Sequence, residues 1–248
     1  MNQSRLRTAL SLTAIALCLA LAIPPARAMT NQQAGQLYVQ VSSGKNPAAL
    51  QSLQSAANNG DANAQFQLGF LYNSGQGVPQ DDAQAAAWYL KAADHGDANA
   101  QFNLGVLYVQ GQGVPQDYAQ AASWYRKAAD QGDAAAQTNL GLMYAEGQGV
   151  PQDDAQAASW WHKAADQGFA KAQTNLGAMY QFGQGVPQDY AIAYALFNLA
   201  AVSTMQASTN RDRISQQMSE ADIESGQNLT RMMQNLGVTA AINAYANK

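Results

Sequence analysis

The chain has 248 residues, of which 47% are apolar and 12% charged, with a formal net charge of −4. That length holds one large domain or two small ones, and its alanine-rich segments with few β-branched residues favour helix. The acidic balance argues against nucleic acid or an anionic membrane surface as the partner.

The first 28 residues differ from the rest. Arg5 and Arg7 precede an apolar run from Ala9 to Ile23, and Ala26-Arg27-Ala28 has the small-x-small exit of a secretory signal peptide. The competing reading is a retained membrane anchor. The run is about 15 residues, short of the ~20 that a spanning helix needs, and it ends in Pro24-Pro25. Cleavage after Ala28 is therefore expected. The protein is then exported, to the periplasm or, alternatively, out of the cell, with no stable membrane insertion once the leader is gone. Cys18 lies inside the apolar run and follows Leu17, where a lipidated cysteine wants a small residue. The remaining chain has no cysteine, hence neither a disulfide nor a thiolate metal site. It keeps 10 basic and 17 acidic side chains, a net charge of −7.

Thr30 to Val41 reads as a helix, with Leu37, Tyr38 and Val41 on one side, and Ser43-Gly44-Lys45 breaks it. Asn46-Pro47 is a helix start, asparagine as cap and proline at the first helical position. The second helix carries Leu50 and Leu53 and stops at Asn58-Asn59-Gly60. Residues 29–61 read as a degenerate N-terminal repeat, the atypical end unit of an array.

From residue 62 the chain is periodic. Gly-Gln-Gly-Val-Pro-Gln-Asp begins at Gly75, Gly111, Gly147 and Gly183, four times at a spacing of 36 residues. Self-similarity at such a period marks an array of supersecondary units, here 62–97, 98–133, 134–169 and 170–205. In the second unit, helix A is expected over Ala98 to Tyr108, the turn over Gly111 to Pro115 and helix B over Gln116 to Asp130. Ala121, Trp124, Tyr125, Ala128 and Ala129 form the apolar stripe of helix B. Gly132 ends that helix and Asp133 caps the next. Within the string, the first glycine leaves helix A, the second allows a tight reversal and the proline forces its neighbour out of helix. Every position has a conformational role, so the string reads as a structural turn.

Gly69, Gly105, Gly141 and Gly177 fall inside helix A, at a cost of ~1 kcal/mol each relative to alanine. That repetition implies close packing, expected beside Tyr72, Tyr108, Tyr144 and Tyr180. Trp88, Trp124 and Trp160 recur on helix B and read as core. In the last unit Leu196, Phe197 and Leu199 replace the Trp, Tyr/Trp and Lys of the earlier ones, and Thr204 replaces the closing glycine. Helix B there is apolar all round and needs a cover. Residues 206–248 supply it as C-terminal capping helices: one to about Met218, one after a Ser219 cap with Ile223, Leu229 and Met233, and one from Ala240.

The pattern Ala-x-x-x-Leu-Gly-x-x-Tyr, Gly-x-Gly-Val-x-x-Asp, Ala-x-x-Trp-Tyr-x-Lys-Ala-Ala-x-x-Gly resembles the Sel1-like repeat. That resemblance implies an all-α fold, a right-handed α/α superhelical solenoid of about five helix-turn-helix repeats related to tetratricopeptide repeats. It also implies protein–protein interaction, often as an adaptor in envelope signalling, secretion or bacterium–host contact, and no reaction. One branch, the Helicobacter cysteine-rich proteins, is linked to penicillin binding and β-lactam hydrolysis. It staples each helix pair with a disulfide, so its activity does not carry over to a mature chain without cysteine.

The residues themselves point to no catalytic site, cofactor or metal. His95 and His162 stand at non-equivalent repeat positions, and neither has a second ligand at metal spacing. Asp81-Asp82 and Asp153-Asp154 lie at helix N-termini, where acids are favoured by free amides. The partner expected is a protein or an extended peptide. Its candidate face is the helix A series that varies among repeats at i, i+4, i+7 and i+11. Its members are Asn63, Gln67 and Phe70; Asn99, Asn103, Val106 and Gln110; Asn139, Leu142 and Glu146; and Lys171, Asn175 and Phe182. By analogy with related solenoids this stripe lines the concave surface. Asn103, Asn139 and Asn175 form either a ladder for a peptide backbone or a set bonded to neighbouring loops and water. Phe70, Val106, Leu142 and Phe182 are either apolar anchors for the partner or packing between units.

Overall fold

The computed structural model describes residues 28–44 and 46–247, so the expected leader and Cys18 lie outside the described residues. Among the described residues there are thirteen helices and no strand. The opening pair is α1 (Asn31–Ser42) and α2 (Pro47–Asn58). Four A/B pairs come next: α3 (Ala62–Ser74) with α4 (Asp82–Asp94), α5 (Ala98–Gln110) with α6 (Tyr118–Asp130), α7 (Ala134–Glu146) with α8 (Asp154–Asp166), and α9 (Ala170–Phe182) with α10 (Tyr190–Ala200). The chain closes with α11 (Met205–Ser215), α12 (Glu220–Leu236) and α13 (Val238–Ala246). Each helix A packs on its own helix B and on the helix B before it, the arrangement of an α/α repeat solenoid.

The repeated string terminates one helix and starts the next through bonds that recur. Gly75, Gly111, Gly147 and Gly183 are the C-caps of helix A, all left-handed with φ between 66° and 68°. The string's aspartate caps helix B: Asp81, Asp153 and Asp189 accept from the amides of Gln84, Gln156 and Ile192, and Asp117 from those of Ala119 and Gln120. Its own amide donates back to the helix A tyrosine carbonyl, at 2.9 Å for Asp81 to Tyr72 and 3.0 Å for Asp117 to Tyr108. The preceding glutamine donates to a carbonyl of the last turn of helix A in three of the four units, 2.7 Å for Gln116 Nε2 to Val109. Helix B of the second unit thus begins at Tyr118 rather than at Gln116, because Asp117, itself extended, takes the cap position. The string's second glycine faces the previous unit. A Cβ on Gly113, Gly149 or Gly185 would overlap the backbone of Asp82, Tyr118 or Asp154, so the turn also sets how closely successive units approach.

The glycines inside helix A do not pack beside the tyrosines three residues on. A Cβ on Gly69 would lie 2.6 Å from the ring of Tyr89, on Gly105 2.7 Å from Tyr125, on Gly141 2.6 Å from Trp161 and on Gly177 2.8 Å from Phe197. The filler is the residue after the repeated tryptophan position, one helix away, and its ring occupies the space the missing side chain leaves. Trp124 and Trp160 are buried as expected and Trp88 is half-buried. Lys91, Lys127 and Lys163 lie over these rings at 3.9, 3.6 and 3.8 Å from their centroids.

The opening pair lacks the string, and four residues separate its helices where seven separate those of the other pairs. Asn46 caps α2 as expected. At the other end, α10 is buried on nearly all sides. α12 covers it with Leu229 and Met233, and α13 returns to α8. No helix among the described residues is long and apolar enough to cross a membrane.

Candidate binding face

A buried glutamine ladder, extended at its edge by exposed glutamines, links successive units and limits what is free to bind. Gln65, Gln101, Gln137 and Gln173 are buried in helix A, and each donates from Nε2 to a carbonyl at the end of the preceding helix B. Gln131 and Gln167 then donate to the Oε1 of Gln101 and Gln137, at 2.8 and 2.9 Å. The exposed His95 takes the equivalent place in the first unit, and Gln65 Oε1 is left buried without a partner. The repeated Ala-Gln of helix A carries the signal for this ladder, which apolar periodicity does not reveal.

All the stripe residues reach the surface; none is fully buried. They divide along the array. At the N-terminal end they are occupied: Asn63 Nδ2 donates to the Met29 carbonyl at 2.7 Å, and Phe70 packs edge-on against Tyr38 and near Phe66. In the middle, Asn103 Nδ2 donates to the Asn99 carbonyl of its own helix at 2.9 Å, and Val106 rests on the core shared by the second and third units. Asn139 stands beside the Tyr125 hydroxyl, whose pKa burial raises to about 12 against the lowering influence of the asparagine side chain. Gln67 is half-buried, while Gln110, Glu146 and Lys171 are exposed.

The C-terminal end is different. Leu142, Asn175 and Ala178 come together in a cleft of about 200 Å³ with Trp161, Asp154 and Gln184. Asn175 Nδ2 is buried there with no hydrogen-bond partner. In the third unit Trp161 stands where the second has Tyr125, the neighbour of Asn139, and its indole N–H is spent on the Thr138 carbonyl at 3.0 Å. Phe182, 60% exposed, stands at the end of the same helix as Asn175.

Among the described residues no group of three or more His, Cys, Asp or Glu side chains is placed to hold a metal ion. His162 lies between the hydroxyls of Tyr180 and Thr239, each 3.4 Å away, and burial lowers its pKa while Asp166 opposes that.

Comparison with known proteins gives a consistent picture. The Sel1 repeat model matches residues 62–97, 98–133, 134–169 and 170–201. A solved structure described as a protective antigen present in uropathogenic Escherichia coli strains, displaying an SLR fold, superposes with a TM-score of 0.75. It is 33% identical over 88% of this chain and 48% of its own, so this chain spans about half the length of that protein. A Sel1 repeat protein from Oxalobacter formigenes superposes with a TM-score of 0.63, 33% identical over 70% of this chain and 71% of its own. A comparison with curated proteins found no match.

Proposed function

We propose that this chain, which belongs to the Sel1 repeat family, is a non-catalytic scaffold that binds a protein or an extended peptide along its helix A stripe. Proteins of this family are generally protein-interaction scaffolds, and the finer assignment to a face and a location is ours. The observation that carries it is the cleft between the third and fourth units, where Asn175 Nδ2 is an unmet donor beside apolar Leu142 and Trp161. A buried donor without a partner costs ~1–3 kcal/mol, and the carbonyl of a bound peptide would relieve that cost. Phe182 offers apolar contact at the same end. The occupied N-terminal end, with Asn63 and Phe70 engaged within the chain, takes a smaller share. Export follows from the N-terminal signature in the sequence, and the periplasm is the location we assign.

A photo-crosslinking residue at position 142 tests the face inside the cell. It should give a discrete adduct that weakens in an Asn175→Ala/Phe182→Ala background. A crosslinker at 123, exposed on helix B of the second unit, should not give it. The same adducts from 142 and 123, or adducts indifferent to the double substitution, would reject the assignment. A second reading, release from the cell and contact with a host protein, draws on the similarity to a protective antigen of a pathogen. It uses the same face, and recovery of the protein in culture medium rather than in the periplasmic fraction would favour it. An envelope enzyme of the β-lactam or peptidoglycan type is disfavoured by the chemistry of the residues. Turnover of a chromogenic β-lactam by the purified protein, lost on substituting His95 or His162, would overturn the non-catalytic reading.

A further inference from the structure

Among the described residues Asp61 is the one buried acid, 9% exposed. Its Oδ1 caps α3 by accepting from the Ala64 amide at 2.9 Å. Its Oδ2 accepts from the backbone nitrogen of Met29. The equivalent caps Asp97 and Asp133 are half-buried and make only the capping bond. Among the described residues no lysine or arginine pairs with Asp61; the ion pair present is Arg211 with Asp212. A buried carboxylate is favoured by a neighbouring cation, and among the described residues no side chain supplies one to Asp61.

Met29 is held at three points: its nitrogen by Asp61, its carbonyl by Asn63 Nδ2, and its half-buried side chain by the core cluster that joins the opening pair to the first unit. It is also the residue that follows the Ala26-Arg27-Ala28 exit. Cleavage there breaks the Ala28–Met29 peptide bond: water gives its hydroxyl to the Ala28 carbonyl carbon and a proton to the Met29 nitrogen. A free α-amine of this kind has a pKa of ~7.7–8.0 and takes a further proton near neutrality. We propose that Asp61 is the receptor for this new α-ammonium, so that removal of the leader replaces a hydrogen bond from an uncharged amide with an ion pair that latches the opening helix pair onto the first unit. The proposal rests on the export reading and adds to it the destination of the new chain end.

The test uses the full-length chain expressed with export and purified from the cell envelope. Sequencing of the amino terminus should give Met29 first. The α-amine, followed by the pH dependence of its acylation rate, should titrate about one pH unit or more above a free amine, the effect of an opposite charge in contact. Asp61→Asn, which keeps a capping side chain on α3, should return it to the ordinary value. Asp97→Asn, the same change one unit on, should leave it raised. A first residue other than Met29 overturns the latch and the cleavage position together. Met29 first with an ordinary α-amine in the unsubstituted protein overturns the latch alone.

Discussion

His95 occupies in the first unit the position of Gln131 and Gln167, and the effect appears on the neighbouring helix. Those glutamines complete the ladder through Gln101 and Gln137, whereas Gln65 Oε1 is buried and unmet. His95→Gln should therefore supply the missing donor and stabilise the protein by about 1 kcal/mol, the net worth of a typical hydrogen bond. Gln131→His should remove the equivalent bond and destabilise by at least as much. Denaturant melts of the two variants check this; a loss of stability in His95→Gln would show that the ladder is not limited by its first rung. Asn175 belongs to the same scale. Its donor is unmet beside Trp161, whereas Asn103 spends its donor on the Asn99 carbonyl of its own helix, so asparagines that look equivalent in the sequence have different surroundings.

Helices A and B meet where a glycine on one admits a ring from the other. Helix propensity alone predicts that Gly→Ala stabilises by up to ~1 kcal/mol. Gly35 in α1 has open space on the side a Cβ would occupy, and Gly35→Ala should follow that rule. Gly105→Ala should reverse it, because its Cβ would lie 2.7 Å from the buried Tyr125 ring and overpacking costs ~1–3 kcal/mol. Opposite signs in paired thermal melts are the expected outcome, and stabilisation by both would discount the ring contact. The caps give a second element-scale test. Helix A is capped by Asp61, Asp97 and Asp133 in three units, but in the fourth by Phe169, which makes no side-chain cap bond. Phe169→Asp should stabilise the fourth unit by about 1 kcal/mol, read as slower amide exchange in α9.

At the scale of the whole molecule, the C-terminal helices close the array by two different routes. α12 buries the apolar α10, and α13 reaches back to the third unit. There the Thr239 amide and hydroxyl donate to Asp166 at 2.8 and 2.6 Å, with His162 beside them. Burial lowers the pKa of His162, with Asp166 acting against it. The folded protein thus binds fewer protons at this site than the unfolded chain, whose histidine titrates near ~6.5. This contribution to stability is present above that pH and is lost as pH falls from there through the lowered folded value. His162→Gln should flatten the pH dependence of stability in that window, and an unchanged profile would assign the dependence to other groups.

The array was legible in the sequence because its determinants are local. A left-handed glycine, a capping aspartate and a proline act on their own few residues, so the period of 36, the helix pairs, the Asn46 and Ser219 caps and the closing helices could all be read from the chain. Even the misplaced start of helix B was a contest between two nearby signals, proline and aspartate. The tertiary structure decided what depends on a neighbour one helix away. It chose the ring that fills each helix A glycine, the glutamine left without its partner, the asparagine left with a free donor, and the unit on which α13 lands. A periodic sequence states which positions recur. Which side chain meets which is set only when the helices pack and each buried polar group finds, or fails to find, its partner.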